Sequence, residues 1–182
     1  PPEFGNLESL FYLDLHNNQL SGNIPSEFGN LANLQIMDLQ RNQLSGNIPS
    51  ALANISLLYY LALQHNHFTF DGMELVTQKF PDMSYSPQAN IPLHQNSNSL
   101  SVSAGGTLSN NTYNWYKVGM TGITTIAGDS IFHPSSSGQY YAKVSNSICK
   151  ELKLFTDTID YDATLPVALI NLSAQQQGGI IK

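Results

Sequence analysis

The sequence predicts a mainly β, multi-domain protein in which a repeat solenoid with a parallel β-sheet precedes a β-sandwich. Two observations predict this fold class. A pattern of apolar residues recurs every 24 residues over roughly the first 70 positions, and a period of this length is typical of solenoids. After residue 92, short alternating apolar runs are separated by Gly, Asn and Ser. Many short strands at such spacing indicate a sandwich.

The repeat is defined by residues of like character at a constant spacing. Segments 17–25 and 41–49 are identical except at their first position, where Asn17 is replaced by Arg41. The equivalent positions are Leu7, Leu31 and Ile55; Leu10, Leu34 and Leu58; Leu13, Met37 and Leu61; Leu15, Leu39 and Leu63; Asn18, Asn42 and Asn66; and Leu20, Leu44 and Phe68.

Each unit contains the pattern of a short strand followed by a bend. Leu13 and Leu15 flank Asp14, which puts both leucines on one face of a strand and the acid on the other. The amide of Asn18 can turn inward and bond backbone groups where the strand ends, and Gly22 permits a tight bend. Because a unit cannot bury its apolar face alone, stacked neighbours form the core.

This pattern resembles the plant-type leucine-rich repeat, L-x-x-L-x-L-x-x-N-x-L-x-G-x-I-P, over about residues 1–70. The resemblance implies a parallel sheet with an irregular convex side and a non-catalytic recognition role. The third unit replaces the end of the pattern with residues 68–72, and residues 73–80 are predicted to form a capping helix. Asp71 is the expected N-cap and Glu74 the expected partner in a capping box.

We therefore predict a solenoid over residues 1–80, truncated at its N-terminal side. Residues 81–92, rich in Pro, Ser and Asn, are predicted to be a linker. A sandwich is predicted over residues 93–162, where Trp115 and the segment 137–144 resemble an immunoglobulin-like domain with a tyrosine corner at Tyr140.

Two cysteine positions of the immunoglobulin-like pattern are occupied by other residues. Ala142 stands at one and Val102 at the other, so Trp115 is expected to pack against an aliphatic pair instead of a disulfide. The single cysteine, Cys149, cannot form an internal disulfide. Residues 163–182 resemble the start of a fibronectin-III-like module of type IX secreted proteins, which implies a secreted or cell-surface protein of bacterial origin.

Composition excludes several classes of function. The net charge is −6 without a block of like charge, so no nucleic-acid partner is expected, because phosphate binding requires a basic patch. No apolar run approaches the roughly 18 residues that span a bilayer, so no membrane insertion is expected from this sequence.

Neither hydrolase nor phosphate-binding motifs are present. His65 and His67 need not converge on a metal, and a packed, inert thiol is expected for Cys149. We predict a non-enzymatic protein with neither cofactor nor metal.

The concave face of the solenoid is the candidate binding site, since the outward positions of successive strands stack about 4.8 Å apart. Aromatic rings beside amides and acids suit recognition of proteins or glycans. The candidate ligand-binding residues are Tyr12, Asp14, His16, Ile36, Asp38, Gln40, Arg41, Tyr60 and Gln64; the structural ones are Asn18, Asn42, Asn66, Trp115 and Tyr140.

Three alternatives to ligand binding remain open. Any single residue of that face can be a solvated part of the scaffold, because an Asp between two leucines is ordinary for this type of repeat. The chain can also be a stalk that spaces other domains, or a fragment of a receptor-like ectodomain. Fold alone does not decide among them.

Overall fold

The computed structural model describes residues 1–163, in which short strands predominate. In this part of the chain the α-helix α1 covers Met73–Lys79, and 3₁₀ helices cover Pro2–Asn6, Ser26–Asn30, Ser50–Asn54 and Leu108–Asn110. The strands are β1 (Tyr12–Asp14), β2 (Ser21–Gly22), β3 (Ile36–Asp38), β4 (Gln43–Leu44), β5 (Tyr60–Ala62), β6 (Leu93–Gln95), β7 (Leu100–Val102), β8 (Asn111–Lys117), β9 (Ile123–Ala127), β10 (Ile131–Phe132), β11 (Gly138–Asn146), β12 (Lys153–Phe155) and β13 (Ile159–Tyr161).

The first sheet is parallel and takes one strand from each 24-residue unit, in the order β1-β3-β5. Its register pairs Leu13 with Met37 and Met37 with Leu61, and all three side chains are buried. Because side chains alternate along a strand, the flanking residues of each strand lie on the opposite face, where Tyr12, Asp14 and Tyr60 are exposed and Asp38 and Ala62 are buried. We call this face of β1, β3 and β5 the outer sheet face. The predicted mainly β repeat architecture is confirmed.

A ladder of asparagine amides joins successive units. The Asn42 side-chain nitrogen donates to the carbonyl oxygens of Leu15, at 2.8 Å, and Leu39, at 3.1 Å, while its oxygen accepts from the Leu20 backbone N–H at 3.0 Å. Asn66 makes the same set of bonds one unit further on. Each amide therefore satisfies backbone groups of two units at the end of a strand.

Part of the segment 81–92, which the sequence predicts to be a linker, forms a further coil against the third unit, whereas Ile91 pairs with Thr156 of the region that follows. Ser84 forms a parallel bridge with Ala62 at the edge of the first sheet. The Gln88 side-chain nitrogen donates to the Leu63 carbonyl at 2.9 Å, which is the role of an asparagine in the preceding units. The physical reason is that the third unit would otherwise leave backbone groups and apolar side chains uncovered.

This fourth coil carries the repeat pattern in altered form. Segment 80–88 reads F-x-x-M-x-Y-x-x-Q where the units before it read L-x-x-L-x-L-x-x-N, with Met37 in place of the second Leu in the second unit. Phe80, Met83 and Tyr85 are all buried, like the leucines they replace. Gln88 lies 22 residues after Asn66, the last asparagine of the ladder, instead of 24. A search for residues repeated every 24 positions therefore does not detect it.

The start of α1 differs from the predicted capping box. Gly72 is the N-cap residue, with φ of 71°, and no side chain caps the helix. The carboxylate of Asp71 accepts instead from the Gly106 backbone N–H at 2.9 Å, and that of Glu74 accepts from Thr107. Both acids are drawn to donors from another part of the chain, which offers more hydrogen bonds than the end of a short helix.

The second half of the described chain contains two antiparallel sheets. One has the strand order β10-β7-β6, and the other has the order β12-β11-β8-β9 with β13 also paired to β11. The Trp115 ring stacks on Phe132 of the first of these sheets, with 5.3 Å between ring centroids. Ala142 is the register partner of Trp115, and Val102 is buried in the same hydrophobic cluster, so the Trp115 ring has an aromatic neighbour in addition to the expected aliphatic pair.

Tyr140 has the hydrogen bond expected of a tyrosine corner, since its hydroxyl donates to the Ser136 carbonyl at 2.9 Å. Assignment of this region to the immunoglobulin-like class stays a prediction. The fibronectin-III-like resemblance falls on residues 163–182, which lie outside the described residues except for Ala163. Across positions 1–163, none of the helices has the length and apolar character needed to cross a membrane.

Candidate functional site

The first column of the outer sheet face is aligned by the register of the parallel sheet. Tyr12 is paired with Ile36, and Ile36 with Tyr60. The two tyrosines are 53% and 41% exposed. Because adjacent strands lie about 4.8 Å apart, the Tyr12 and Tyr60 backbones lie about 10 Å apart with Ile36 between them. The structure therefore brings together three of the predicted site residues.

Two exposed aromatic residues beside this column were not among the predicted site residues. Phe11 precedes Tyr12 and is 57% exposed, and Tyr59 precedes Tyr60 and is 68% exposed. They occupy equivalent positions, 48 residues apart, so the repeat spacing contains the signal that identifies them. We call Phe11, Tyr12, Tyr59 and Tyr60 the aromatic patch.

The second column consists of Asp14, Asp38 and Ala62. Each aspartate accepts a hydrogen bond from the backbone N–H two residues further on, His16 for Asp14 and Gln40 for Asp38, at 3.1 Å in both cases. Their carboxylates therefore hold the chain in its bend at the end of the strand. Asp38 is buried and Asp14 is exposed.

The remaining oxygens of these carboxylates also have partners. The Tyr12 hydroxyl donates to Asp14 at 3.1 Å, and the Gln40 side chain donates to Asp38 at 2.8 Å. The side chain of His16 contacts the Asp14 carboxylate, and this hydrogen bond, followed by that from the His16 backbone, lowers the pKa of Asp14. The acids of this column are thus satisfied within the protein.

The third column is His16, Gln40 and Gln64, of which the two glutamines are hydrogen-bonded to each other. Gln64 donates to the Gln40 side-chain oxygen at 2.8 Å, and Gln40 donates in turn to Asp38. This chain of amides fixes the polar part of the outer sheet face. Polar groups that are already paired have less capacity to bind a ligand directly.

At the edge of the face, equivalent residues of three units adopt left-handed backbone conformations. Asn17, Arg41 and His65 have φ of 54°, 56° and 57°. Asparagine tolerates this region far better than residues with longer side chains. The bend of the coil therefore imposes this conformation, and Arg41 adopts it with an unfavourable contribution to the free energy of folding.

Arg41→Asn is expected to stabilise the protein by about 0.5–1 kcal/mol, because Asn relieves part of the left-handed penalty. Urea unfolding followed by far-UV circular dichroism would measure the change. Gln43→Asn, in the extended strand β4, is the matched control and should be neutral or slightly destabilising. An Arg41→Asn variant no more stable than this control would contradict the explanation.

Metal binding was considered for the one group of potential ligands found among residues 1–163. One ligand atom from each of Asp14, His16 and Asp38 lies within 4.8 Å of the others. The backbone and side-chain hydrogen bonds of these carboxylates account for the grouping without an ion. His65 and His67, the pair considered from the sequence, are not in this group.

Cys149 is buried and contacts the hydroxyl of Thr77 of α1 at 3.7 Å. Burial raises the pKa of its thiol to about 11. At neutral pH the thiolate is scarce, so these observations agree with a packed thiol and not with a nucleophile.

Comparison with known families agrees with the repeat geometry. The family model for the Leucine Rich Repeat matches residues 9–31 and 33–55, which include β1 and β3 with Asn18 and Asn42 after them. The chain contains leucine-rich repeats, as the spacing predicts. No curated protein matches the chain.

Two chains of solved structures are similar to part of this chain. One, from the crystal structure of the BIR3–SERK2 complex from Arabidopsis thaliana, is 29% identical over 50% of this chain and 50% of that chain, with a TM-score of 0.41. The other, from the crystal structure of PEPR1–AtPEP1, is 26% identical over 50% of this chain and 16% of that chain, with a TM-score of 0.37. The similarity thus spans half or less of those chains.

Proposed function

We propose that this protein is a non-catalytic recognition module that binds a protein partner through the outer sheet face, the concave face predicted from the sequence. The observation that carries the proposal is the in-register column of Tyr12, Ile36 and Tyr60. Exposed aromatic side chains supply large contact areas at low cost in conformational entropy, and such residues dominate the binding energy of protein interfaces.

A protein partner is favoured over a glycan by the hydrogen bonds of the same face. Sugar recognition requires polar groups that are free to bond the ligand's hydroxyls. Here Gln40 donates to Asp38 and the Gln64 nitrogen donates to Gln40, while the Gln64 oxygen, which has no partner among the described residues, is buried. What remains accessible is mainly the aromatic patch. Apolar contact of this kind suits side chains of a protein.

The proposal includes an extracellular or cell-surface location in a bacterium, for which the support is the resemblance of residues 163–182 to a type IX secreted module. A second candidate function is a stalk that spaces domains of a larger secreted protein or receptor-like ectodomain. Hydrogen bonds between the solenoid and the region that follows favour this candidate, since a spacer benefits from a fixed junction.

Binding can be tested by screening the full 182-residue chain against a random peptide display library and a glycan array. The double variant Tyr12→Ala, Tyr60→Ala is expected to lose about 100-fold in affinity for the selected peptides, because two interface aromatics are removed. The matched control is Val118→Ala, Met120→Ala, which removes two exposed apolar side chains far from the repeats in sequence.

Unchanged affinity of the double tyrosine variant would contradict the proposed face. Selective binding to glycans would replace the protein partner by a carbohydrate. Recovery of neither peptide nor glycan binders would favour the stalk.

A further inference from the structure

The solenoid and the two-sheet region meet at a junction built from α1, the turn before it, and the loop that follows β7. The Phe70 backbone N–H donates to the Ala104 carbonyl at 2.8 Å, and the Gly106 N–H donates to Asp71 at 2.9 Å. Gly105 and Gly106 have φ of 67° and 69°. Their left-handed conformations turn the loop so that its N–H groups point at the acids of the solenoid.

Glu74 is the centre of this junction because it accepts from four groups of the two-sheet region. The Thr107 backbone N–H donates at 3.0 Å and its hydroxyl at 2.7 Å. The side-chain amides of Asn146 and Asn110 donate at 2.6 and 3.3 Å. Hydrogen bonds to an ionised carboxylate are about twice as strong as those between neutral groups.

The side chains that donate to Glu74 are themselves held by residues of the sheet that contains β8 and β11. Asn146, at the end of β11, also donates to the Asn111 side chain at 2.8 Å, and its oxygen accepts from the backbone N–H groups of Ile148 and Cys149. Asn111 donates in turn to the Gly105 carbonyl at 2.9 Å. The carboxylate therefore meets a preorganised set of donors.

We propose that Glu74 is a conformational lock that holds the two-sheet region in one orientation against the last coils of the solenoid. Through this lock the outer sheet face keeps a fixed direction relative to the chain that follows. A carboxylate suits this role because it accepts several bonds at once and binds them by charge as well as by geometry.

The charge of the lock depends on pH in a definite direction. Partial burial acts to raise the pKa of Glu74, but the bonds from Thr107, Asn146 and Asn110 outweigh it and lower the pKa below that of an ordinary glutamate. A lowered pKa in the folded state means that the stabilisation is complete above the ordinary value and is lost as the pH falls through the folded value. The lock is thus closed at neutral pH and weakens as the pH falls through the lowered pKa of Glu74.

Other titratable groups lie at the junction, and their contribution to any pH dependence must be distinguished from that of Glu74. Asp71 lies in the turn just before α1, and Cys149, in the turn between β11 and β12, contacts Thr77 of α1. The Tyr113 hydroxyl accepts from Asn111. Further along the interface, Asp157 accepts from Asn90 at 2.7 Å, and the Tyr85 hydroxyl accepts from the backbone of Glu151 at 3.2 Å.

The test is amide hydrogen exchange of the full chain, resolved by residue and expressed as protection factors between pH 6.5 and pH 3. Glu74→Gln is expected to lower the protection of the Gly106 and Thr107 amides at least about tenfold at pH 6.5, since a charged acceptor is lost. The Thr107 amide, which donates to Glu74 itself, should lose protection in the unaltered protein as the pH falls towards 3, and that of Glu74→Gln should change much less. The Gly106 amide is left out of this pH comparison because it donates to Asp71. The Leu44 amide, deep in the solenoid, should stay protected in both.

Glu8→Gln is the matched control, because it removes an equal charge from an exposed glutamate of the solenoid. Thr107→Val, which removes one donor and keeps the carboxylate, provides a milder variant should Glu74→Gln fail to fold, and it should lower protection less. Equal protection of Gly106 and Thr107 in Glu74→Gln and the unaltered protein at pH 6.5 would overturn the proposal. Equal sensitivity of the Thr107 amide to acid in the two proteins would overturn it as well.

Discussion

Replacing Asn66 by Ala is expected to destabilise the protein by about 3 kcal/mol. The side chain is 1% exposed. Its oxygen accepts from the Leu44 backbone N–H at 2.9 Å, and its nitrogen donates to the carbonyls of Leu39 and Leu63 at 2.9 and 3.1 Å. Alanine would leave the Leu44 N–H without its acceptor, which costs about 1–3 kcal/mol. The two carbonyls would each lose one of two donors, since Asn42 also donates to Leu39 and Gln88 to Leu63, and each lost bond adds about 0.5–1.5 kcal/mol. Urea unfolding followed by far-UV circular dichroism would measure the loss.

The chain contains a matched control at the equivalent position of the first unit. Asn18 is exposed, and its side chain donates only within its own unit, to the carbonyls of Leu15 and His16 at 3.1 Å. Water can replace these bonds, so Asn18→Ala should cost less than about 1 kcal/mol. Equal losses from the two substitutions would show that bonding between units is not what makes the asparagine important.

The strongly periodic part of the fold could be predicted from the sequence because a repeat multiplies each local signal. The strand positions, the inward leucines and the asparagine ladder follow from the 24-residue spacing. The fourth coil could not be found in this way, since its spacing is 22 and only Met83 shares a residue type with an equivalent position of the earlier units, namely Met37. What persists there is burial and hydrogen bonding, which a residue-by-residue comparison does not detect.

The ends of elements were harder to predict, and Glu74 shows why. Its distance from Asp71 fits a capping box, and local sequence gives no reason to reject that interpretation. In the structure the donors come from Thr107, Asn110 and Asn146, at least 33 positions away in the chain. Tertiary hydrogen bonds overrode the local preference, because a carboxylate gains more from four preorganised donors than from one helix end.

The sequence predicts which residues of the candidate site are aligned in columns, but it does not predict which of its polar side chains are already hydrogen-bonded. Parallel strands with a constant repeat place Tyr12, Ile36 and Tyr60 in line, so register follows directly from sequence. Whether Asp38 or Gln40 is free to bind a ligand depends on rotamers and neighbours. In the structure these two side chains are hydrogen-bonded to each other. The proposed binding function therefore rests mainly on the aromatic patch.

The second large effect is expected for Gly72→Ala, which should destabilise the protein by about 4 kcal/mol. Gly72 has φ of 71°, a conformation that costs a residue with a Cβ about 1–2 kcal/mol. An added Cβ would also overlap the Ile48 carbonyl oxygen and lie 2.8 Å from its nitrogen. Backbone cannot move aside as a side chain can, because the Ile48 N–H donates to the Asp71 carbonyl at 3.1 Å and joins the two units there. Overpacking of this kind adds about 1–3 kcal/mol.

Gly22→Ala separates the two contributions. Gly22 has φ of 81°, and a Cβ added there would meet nothing within 4 Å. Its substitution should therefore cost only the conformational penalty of about 1–2 kcal/mol, and both variants change the entropy of the unfolded chain alike. The excess loss in Gly72→Ala, measured from urea midpoints of the two variants, reports the close approach of the third unit's turn to Ile48. An excess near zero would mean that the turn before α1 can shift away from the preceding unit, and α1 would then be held mainly by the junction around Glu74.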